Sequence, residues 1–207
     1  MQHTQPTTLG SAPPAKAAHF SDALRSLGAL FANITGYIFL ALAVLVLLEV
    51  LGRKLFGFSL QGVDELGGYA LAVGSSLAFT TALVDRAHIR IELFHLKLPK
   101  VLQTLLNWLS IVLLAGFGVM LAWVCLTILL DTLTYQSTAP TPWATPLIYP
   151  QGVWYASLVV FAVVAVAMAL HATALLLTGK ASVLNRTYGP RETVEEIKDE
   201  LQDLDRR

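Results

Sequence analysis

Six charged residues stand at the edges of long apolar runs: Glu49, Arg53, Lys54, Asp64, Glu65 and Asp131. A charged side chain at the centre of a bilayer costs at least about 2.5 kcal/mol on insertion scales. Carboxylates in such runs therefore carry a proton or cation, touch a partner, or lie shallow enough to avoid the cost. All four acidic residues fall near the ends of their runs. Glu49 precedes Arg53 by four residues, the favourable order for an i,i+4 ion pair. Their depth is best matched by an interfacial charge network that closes the ends of three helices, with proton or cation movement and contact with a partner subunit as the alternatives. Arg53 and Lys54 are expected to pair with Asp64 and Glu65; the alternative is that they seat a protein docking from outside.

Other chemistry finds little support. His171 is the one histidine inside an apolar run, and a lone histidine there is expected to hydrogen-bond a neighbour. A membrane haem would need two histidines facing each other at matching depth, whereas His3, His19, His88 and His95 lie in a tail or a loop. Cys125 is the only cysteine, which rules out an intrachain disulfide or a paired-thiol redox centre, and it reads as a packing residue. No glycine-rich phosphate loop, GxSxG elbow or HExxH helix is present, and no carboxylates cluster at a metal-binding spacing. The expectation is a protein that is not an enzyme and holds no cofactor or metal.

The elements that must position these residues are four apolar runs, Leu27–Leu51, Val63–Val84, Leu102–Leu133 and Val153–Thr178. About 20 apolar residues span the ~30 Å hydrocarbon core as a helix. The composition agrees: 55% hydrophobic and 14% charged, with a mean hydropathy of +0.62, against about a quarter charged in soluble domains. Zero net charge gives no reason to invoke nucleic acid. If the N-terminus is cytoplasmic, Arg53 and Lys54 are the only two of the fourteen Lys and Arg residues left outside, as the positive-inside bias requires. The fold class expected is an all-α integral membrane protein with four transmembrane helices and both termini cytoplasmic. Residues 1–26 are expected to form a disordered cytoplasmic tail, 27–180 the four-helix transmembrane domain, and 181–207 a cytoplasmic tail with a short amphipathic helix, in which Val194, Ile197, Leu201 and Leu204 recur at helical spacing.

Between the runs, the hinge at Phe56–Ser59 is too short for a folded domain. Asp64 and Glu65 open the second helix, where carboxylates suit the positive end of the dipole. On that helix Ala70, Gly74, Ala78 and Ala82 recur every four residues beside Gly67, a ladder that lets helices approach closely in lipid. It serves either packing within the four-helix unit or a larger membrane partner. The inner loop Asp85–Lys100 carries Arg86, His88, Arg90 and Glu92, with Ile89, Leu93 and Leu96 able to line one interfacial face. The third run would extend about 48 Å if wholly helical, so it tilts or projects from the membrane. The last loop holds Pro140, Pro142, Pro146 and Pro150 and reads as an extended, stiffened connection. Tyr135, Trp143, Tyr149, Trp154 and Tyr155 mark an outer aromatic belt, and Trp108 an inner one.

The order of these features resembles a known family. A first helix ends in Glu49–x–x–x–Arg53, and a short hinge leads to Asp64–Glu65 with Tyr69 four residues on. A small-rich helix then runs into Asp85–Arg–Ala–His–Ile–Arg–Ile–Glu–Leu93, and a Pro- and Trp-bearing loop precedes a last span opened by Pro150–Gln–Gly–Val–Trp154. Over about residues 28–180 this is similar to the small membrane (Q, DctQ-type) subunit of tripartite ATP-independent periplasmic (TRAP) transporters. Asp64 departs conservatively from the acidic pair often found in that family before the second helix. The resemblance implies a bacterial inner-membrane protein that does not transport alone. It would brace a large multi-span permease subunit, surrounded by membrane lipids, for sodium-coupled symport of an organic acid delivered by a periplasmic substrate-binding protein. Tyr69 and the small-residue ladder would be candidates for contact with that subunit. The competing reading is a self-contained small proton-coupled transporter acting as a homo-oligomer, with Glu49 as its carboxylate.

Overall fold

Pro13 and Pro14 close the N-terminal stretch, and immediately after them, in the computed structural model, Ala15–Leu51 is a single helix, α1. The structure describes residues 15–86 and 98–189, with side chains from Leu24 onward. α1 passes into a π-helical turn at Gly52–Phe56. It is followed by α2 (Val63–Val84), α3 (Lys100–Tyr135), α4 (Ile148–Leu177) and α5 (Ala181–Tyr188). The first four are long and apolar enough to cross a membrane.

Two boundaries differ from the sequence expectation. α1 begins at Ala15, ahead of the apolar run at Leu27, so residues 15–26 of the expected tail are helical. Ala, Lys, Arg and Leu in that stretch are good helix formers and propagate an already nucleated helix at little cost. α3 is helical over 36 residues, about 54 Å, extending past its apolar run at both ends. Pro99 sets its start, where a residue without an N–H loses nothing. Pro150 lies in the first turn of α4, tolerated for the same reason, so three of the four loop prolines remain in the connection.

The helices pack as an open row, α1–α2–α4–α3, in which, among the described residues, α1 makes its substantial contacts only with α2 and the adjoining π-turn. Apolar surface gives no drive for association in lipid, so close packing and interhelical hydrogen bonds must supply it. The α1–α2 contact is built on glycines. A Cβ at Gly74 would come within 2.8 Å of the Phe39 ring, and one at Gly28 within 3.1 Å of Val84. Gly67 faces Leu42 in ordinary contact. Part of the small-residue ladder thus faces α1. Thr35 Oγ1 donates to the Gly74 carbonyl at 3.5 Å and Thr81 Oγ1 to that of Gly28 at 3.4 Å. Between α3 and α4, Phe161 sits over Gly118. Trp108 Nε1 donates to Thr173 Oγ1 (2.9 Å) near one end and Thr132 Oγ1 to Gln151 Oε1 (2.6 Å) near the other. Trp108 is therefore an interhelical clasp.

The largest buried cluster lies at the end of the row away from the hinge. Ile111, Phe161, Ala165, Met168 and Ala172 meet Leu83 of α2, together with Leu184 and Tyr188 of α5. α5 reaches this position because α4 ends in a Schellman turn. Gly179 adopts a left-handed φ of 69°, its N–H bonds the Leu176 carbonyl, and the Lys180 N–H bonds that of Leu175. This reverses the chain while satisfying orphaned carbonyls. The amphipathic helix expected around Val194–Leu204 lies outside the described residues, as do the expected tail over residues 1–14 and the apolar loop face at Ile89, Leu93 and Leu96.

Replacing Gly74 by Leu is expected to push Phe39 out and part α1 from α2, costing about 1–3 kcal/mol as overpacking. Gly68, beside which a Cβ meets nothing within 4 Å, supplies the control. Thermal unfolding in detergent should show Gly74→Leu losing far more than Gly68→Leu; equal losses would contradict the packing.

Candidate functional site

The charged residues at the hinge end resolve into two separate nodes, each centred on a buried carboxylate. Glu49, on the last turns of α1, is 4% exposed. Its Oε1 accepts from Arg53 Nε at 3.1 Å, from Arg53 Nη2 and from Ser59 Oγ at 2.7 Å, and its Oε2 accepts from the Leu60 backbone N–H. One side chain therefore holds α1, the π-turn and the segment leading to α2 in a fixed relation. Charge-assisted bonds of this kind are roughly twice as strong as neutral ones. The Arg53 side chain remains 66% exposed beyond its pairing.

Glu65, 7% exposed in the first turn of α2, centres the second node. It accepts from Tyr69 Oη at 2.8 Å and from the hydroxyls of Thr141 and Thr145. Those threonines belong to the loop between α3 and α4, which folds back on itself. Ala139 N–H bonds the Thr145 carbonyl, Leu147 N–H bonds that of Ser137, and Thr138 and Pro146 form an isolated antiparallel bridge. Trp143 lies flat against Gly62, where a Cβ would come within 2.6 Å of the indole; the φ of 90° at Gly62 also excludes other residues without strain. The loop is thus a clamp on the start of α2, shaped by its prolines yet closed by hydrogen bonds.

Several expected partnerships take another form. Arg53 pairs with Glu49, and Glu65 bonds hydroxyls, so the expected pairing of Arg53 and Lys54 with Asp64 and Glu65 is replaced by local contacts. Hydroxyls from the loop reach Glu65, and the i,i+4 spacing brings Arg53 to Glu49 at a lower entropic cost than a contact across the hinge. Lys54, Asp64 and Asp131 are exposed and make no ion pair among the described residues. Asp64 stands within electrostatic reach of Arg53. Tyr69 serves Glu65; Ala70, Ala78 and Ala82 are half-buried and Gly74 is buried. His88, Arg90 and Glu92 lie outside the described residues. Arg86, at φ 56°, donates from Nη1 to the Arg186 carbonyl of α5 at 2.9 Å.

At the opposite end an amide cluster escaped the sequence reading, beside His171, which bonds a neighbour as expected. Asn107, 2% exposed on α3, donates from Nδ2 to Asn185 Oδ1 at 3.0 Å, and Asn185 Nδ2 donates to Thr104 Oγ1 at 2.8 Å. His171 Nδ1 lies 2.8 Å from Tyr188 Oη. Burial pushes the Tyr188 phenol pKa up, keeping it neutral and able to donate to an unprotonated Nδ1. These bonds pin α5 across α3 and α4. An amide in an otherwise apolar run, at Asn107, was the available signal, since such a group needs a partner. Cys125 is buried and free, and among the described residues no three of His, Cys, Asp or Glu gather where a metal would bind.

A family model described as "Tripartite ATP-independent periplasmic transporters, DctQ component" matches residues 42–175, more than half of the chain. The match takes in both carboxylate nodes, the loop clamp and His171, and stops short of α5. No curated protein and no solved structure matches the chain.

If the amide pair pins α5, Asn107→Leu and Asn185→Leu should be non-additive. A double-mutant cycle in detergent is expected to return a coupling of about 0.6 kcal/mol, with about 1.7 kcal/mol as the upper end for interhelical bonds in membranes. A coupling of zero would mean that the two amides act independently.

Proposed function

The chain belongs to the DctQ component family of the tripartite ATP-independent periplasmic transporters and is a small membrane subunit of that class; from this premise we propose that it braces a large permease subunit during sodium-coupled uptake of an organic acid, which a periplasmic binding protein delivers. The observation that carries the bracing role is the state of Glu49. A carboxylate that moves a proton or cation must exchange partners, whereas Glu49 is buried with both oxygens held by Arg53, Ser59 and Leu60. Glu65 is held in the same way by Tyr69 and Thr141. Both groups are placed to fix helix ends in position. The open row leaves long apolar flanks on α1 and α3, including Leu40, Leu47, Leu113 and Val124, and such flanks suit contact with a large membrane partner or with lipid.

The orientation proposed puts the hinge end in the periplasm. Arg53 and Lys54 then lie outside, while Arg86, Lys100, Lys180 and Arg186 lie at the cytoplasmic end, which accords with the positive-inside bias. The binding protein would approach the loop clamp at this end. The competing reading, a self-contained proton-coupled transporter, requires Glu49 to titrate and turn over its partners.

Two measurements separate these readings. Cells with this chain, its large partner and the binding protein should show sodium-dependent uptake, and cells with this chain alone should show none; robust uptake by the chain alone would defeat the bracing role. In the assembled transporter, Glu49→Gln is expected to lower the amount of complex recovered while leaving uptake per complex unchanged, whereas loss of flux at normal assembly would favour the competing reading. For orientation, a membrane-impermeant maleimide applied to intact spheroplasts should label Lys54→Cys and spare Lys180→Cys in a Cys125→Ala background; the reverse pattern would invert the topology.

A further inference from the structure

The π-turn that ends α1 combines two features no other described segment joins so closely. Gly52–Phe56 carries Arg53 and Lys54 in succession, followed at once by Leu55 and Phe56. Leu55 is 68% exposed and Phe56 76% exposed, with Phe58 and Leu60 also open beyond them. Phe58 covers Gly52, where a Cβ would lie 3.0 Å from its ring, so the turn has a packed inner side and a fully open outer one. π-helical turns inside helices recur at functional sites. Here the widened turn brings cationic and apolar side chains out together, at the point where a membrane-spanning helix leaves the hydrocarbon.

The cations are arranged for an anion on the outer side. Glu49 takes Nε and Nη2 of Arg53, which anchors the guanidinium while Nη1 makes no hydrogen bond among the described residues. Lys54 is exposed and makes no ion pair among the described residues. A phosphate oxygen can take Nη1 and the Lys54 ammonium together, since charge-assisted bonds to phosphate are strong for both groups. Leu55 and Phe56 offer the apolar contact that the glycerol and upper acyl segments of a phospholipid require, in the way interfacial anchors combine basic and apolar faces. Asp64, exposed and within electrostatic reach of Arg53, opposes a purely anionic headgroup and suits one that carries an ammonium beside its phosphate.

We propose that the turn at Gly52–Phe56 is a binding site for a zwitterionic, ammonium-bearing phospholipid, with Arg53 and Lys54 on its phosphate, Leu55 and Phe56 against its upper acyl chains and Asp64 on its ammonium. The site goes beyond the bracing role, since it requires no permease subunit to form. It would fix the depth of the hinge in the membrane, and so the height at which the Glu49 and Glu65 nodes stand.

The test places p-benzoylphenylalanine at Phe56 in cells expressing the full chain with the rest of its transporter, followed by irradiation, purification and intact-mass measurement. The expected product is the chain plus one ammonium-bearing phospholipid. Lys54→Glu should lower its yield severalfold and Lys54→Arg should retain it, while the same probe at Leu177, exposed at the opposite end of the row, should respond to neither change. A covalent product with a protein partner, an adduct of anionic lipid alone, no adduct, or a yield indifferent to Lys54→Glu would each overturn the proposal. The Lys54→Arg and Leu177 arms report intact folding, so a loss specific to Lys54→Glu reads the headgroup contact itself.

Discussion

A bilayer removes the force that gathers helices in water. Apolar side chains are as well solvated by acyl chains as by one another, so helices stay together only through close van der Waals approach and a few hydrogen bonds between them. Nearly every tertiary feature of this chain answers to that constraint. Phe39 against Gly74, Val84 against Gly28 and Phe161 against Gly118 are the close approaches. Trp108 to Thr173, Thr132 to Gln151 and Asn107 to Asn185 are hydrogen bonds across helices. With so few means of association, an open row is a natural outcome: α1 needs only α2, and nothing drives it to close onto α3.

The same constraint sends the charged and amide groups to the ends. Mid-depth, a carboxylate is costly; at the rim it can recruit loop donors and tie elements that apolar packing would leave loose. Glu49 gathers the π-turn and the hinge, and Glu65 gathers the loop between α3 and α4. At the opposite end, where Asn107, Asn185, His171 and Tyr188 meet, neutral groups perform the equivalent task for α5. The row is thus sewn at both ends and packed by glycines and small residues along its length.

How far this was legible in the sequence depends on the range of the signal. The four spans were plain, because hydropathy over about 20 residues reports directly on the bilayer. The Glu49–Arg53 pair was legible as well, since i,i+4 geometry is local. The order of helices in the row was not, because apolar faces in lipid carry no outward-polar stripe to show which side is inside. Nor was the loop clamp: four prolines suggested a stiff connection, while the backbone bonds from Ala139 and Leu147 and the stacking of Trp143 on Gly62 are contacts between elements. α5 was missed because its eight residues are too few for periodicity to register, and its two buried anchors, Leu184 and Tyr188, gain their meaning only once Gly179 turns the chain back.

A row sewn at its ends is also a particular kind of mechanical object. Motion in packed membrane helices comes most cheaply where backbones slide or where polar partners can be exchanged. Here the α1–α2 contact rests on Phe39 seated over Gly74 and Val84 against Gly28, which resist sliding because a shift of one residue would set Phe39 against a side chain. The carboxylates are saturated by donors from separate elements, so moving any one element breaks bonds at a buried charge, a costly step. Such a unit transmits displacement as a whole and yields little within itself.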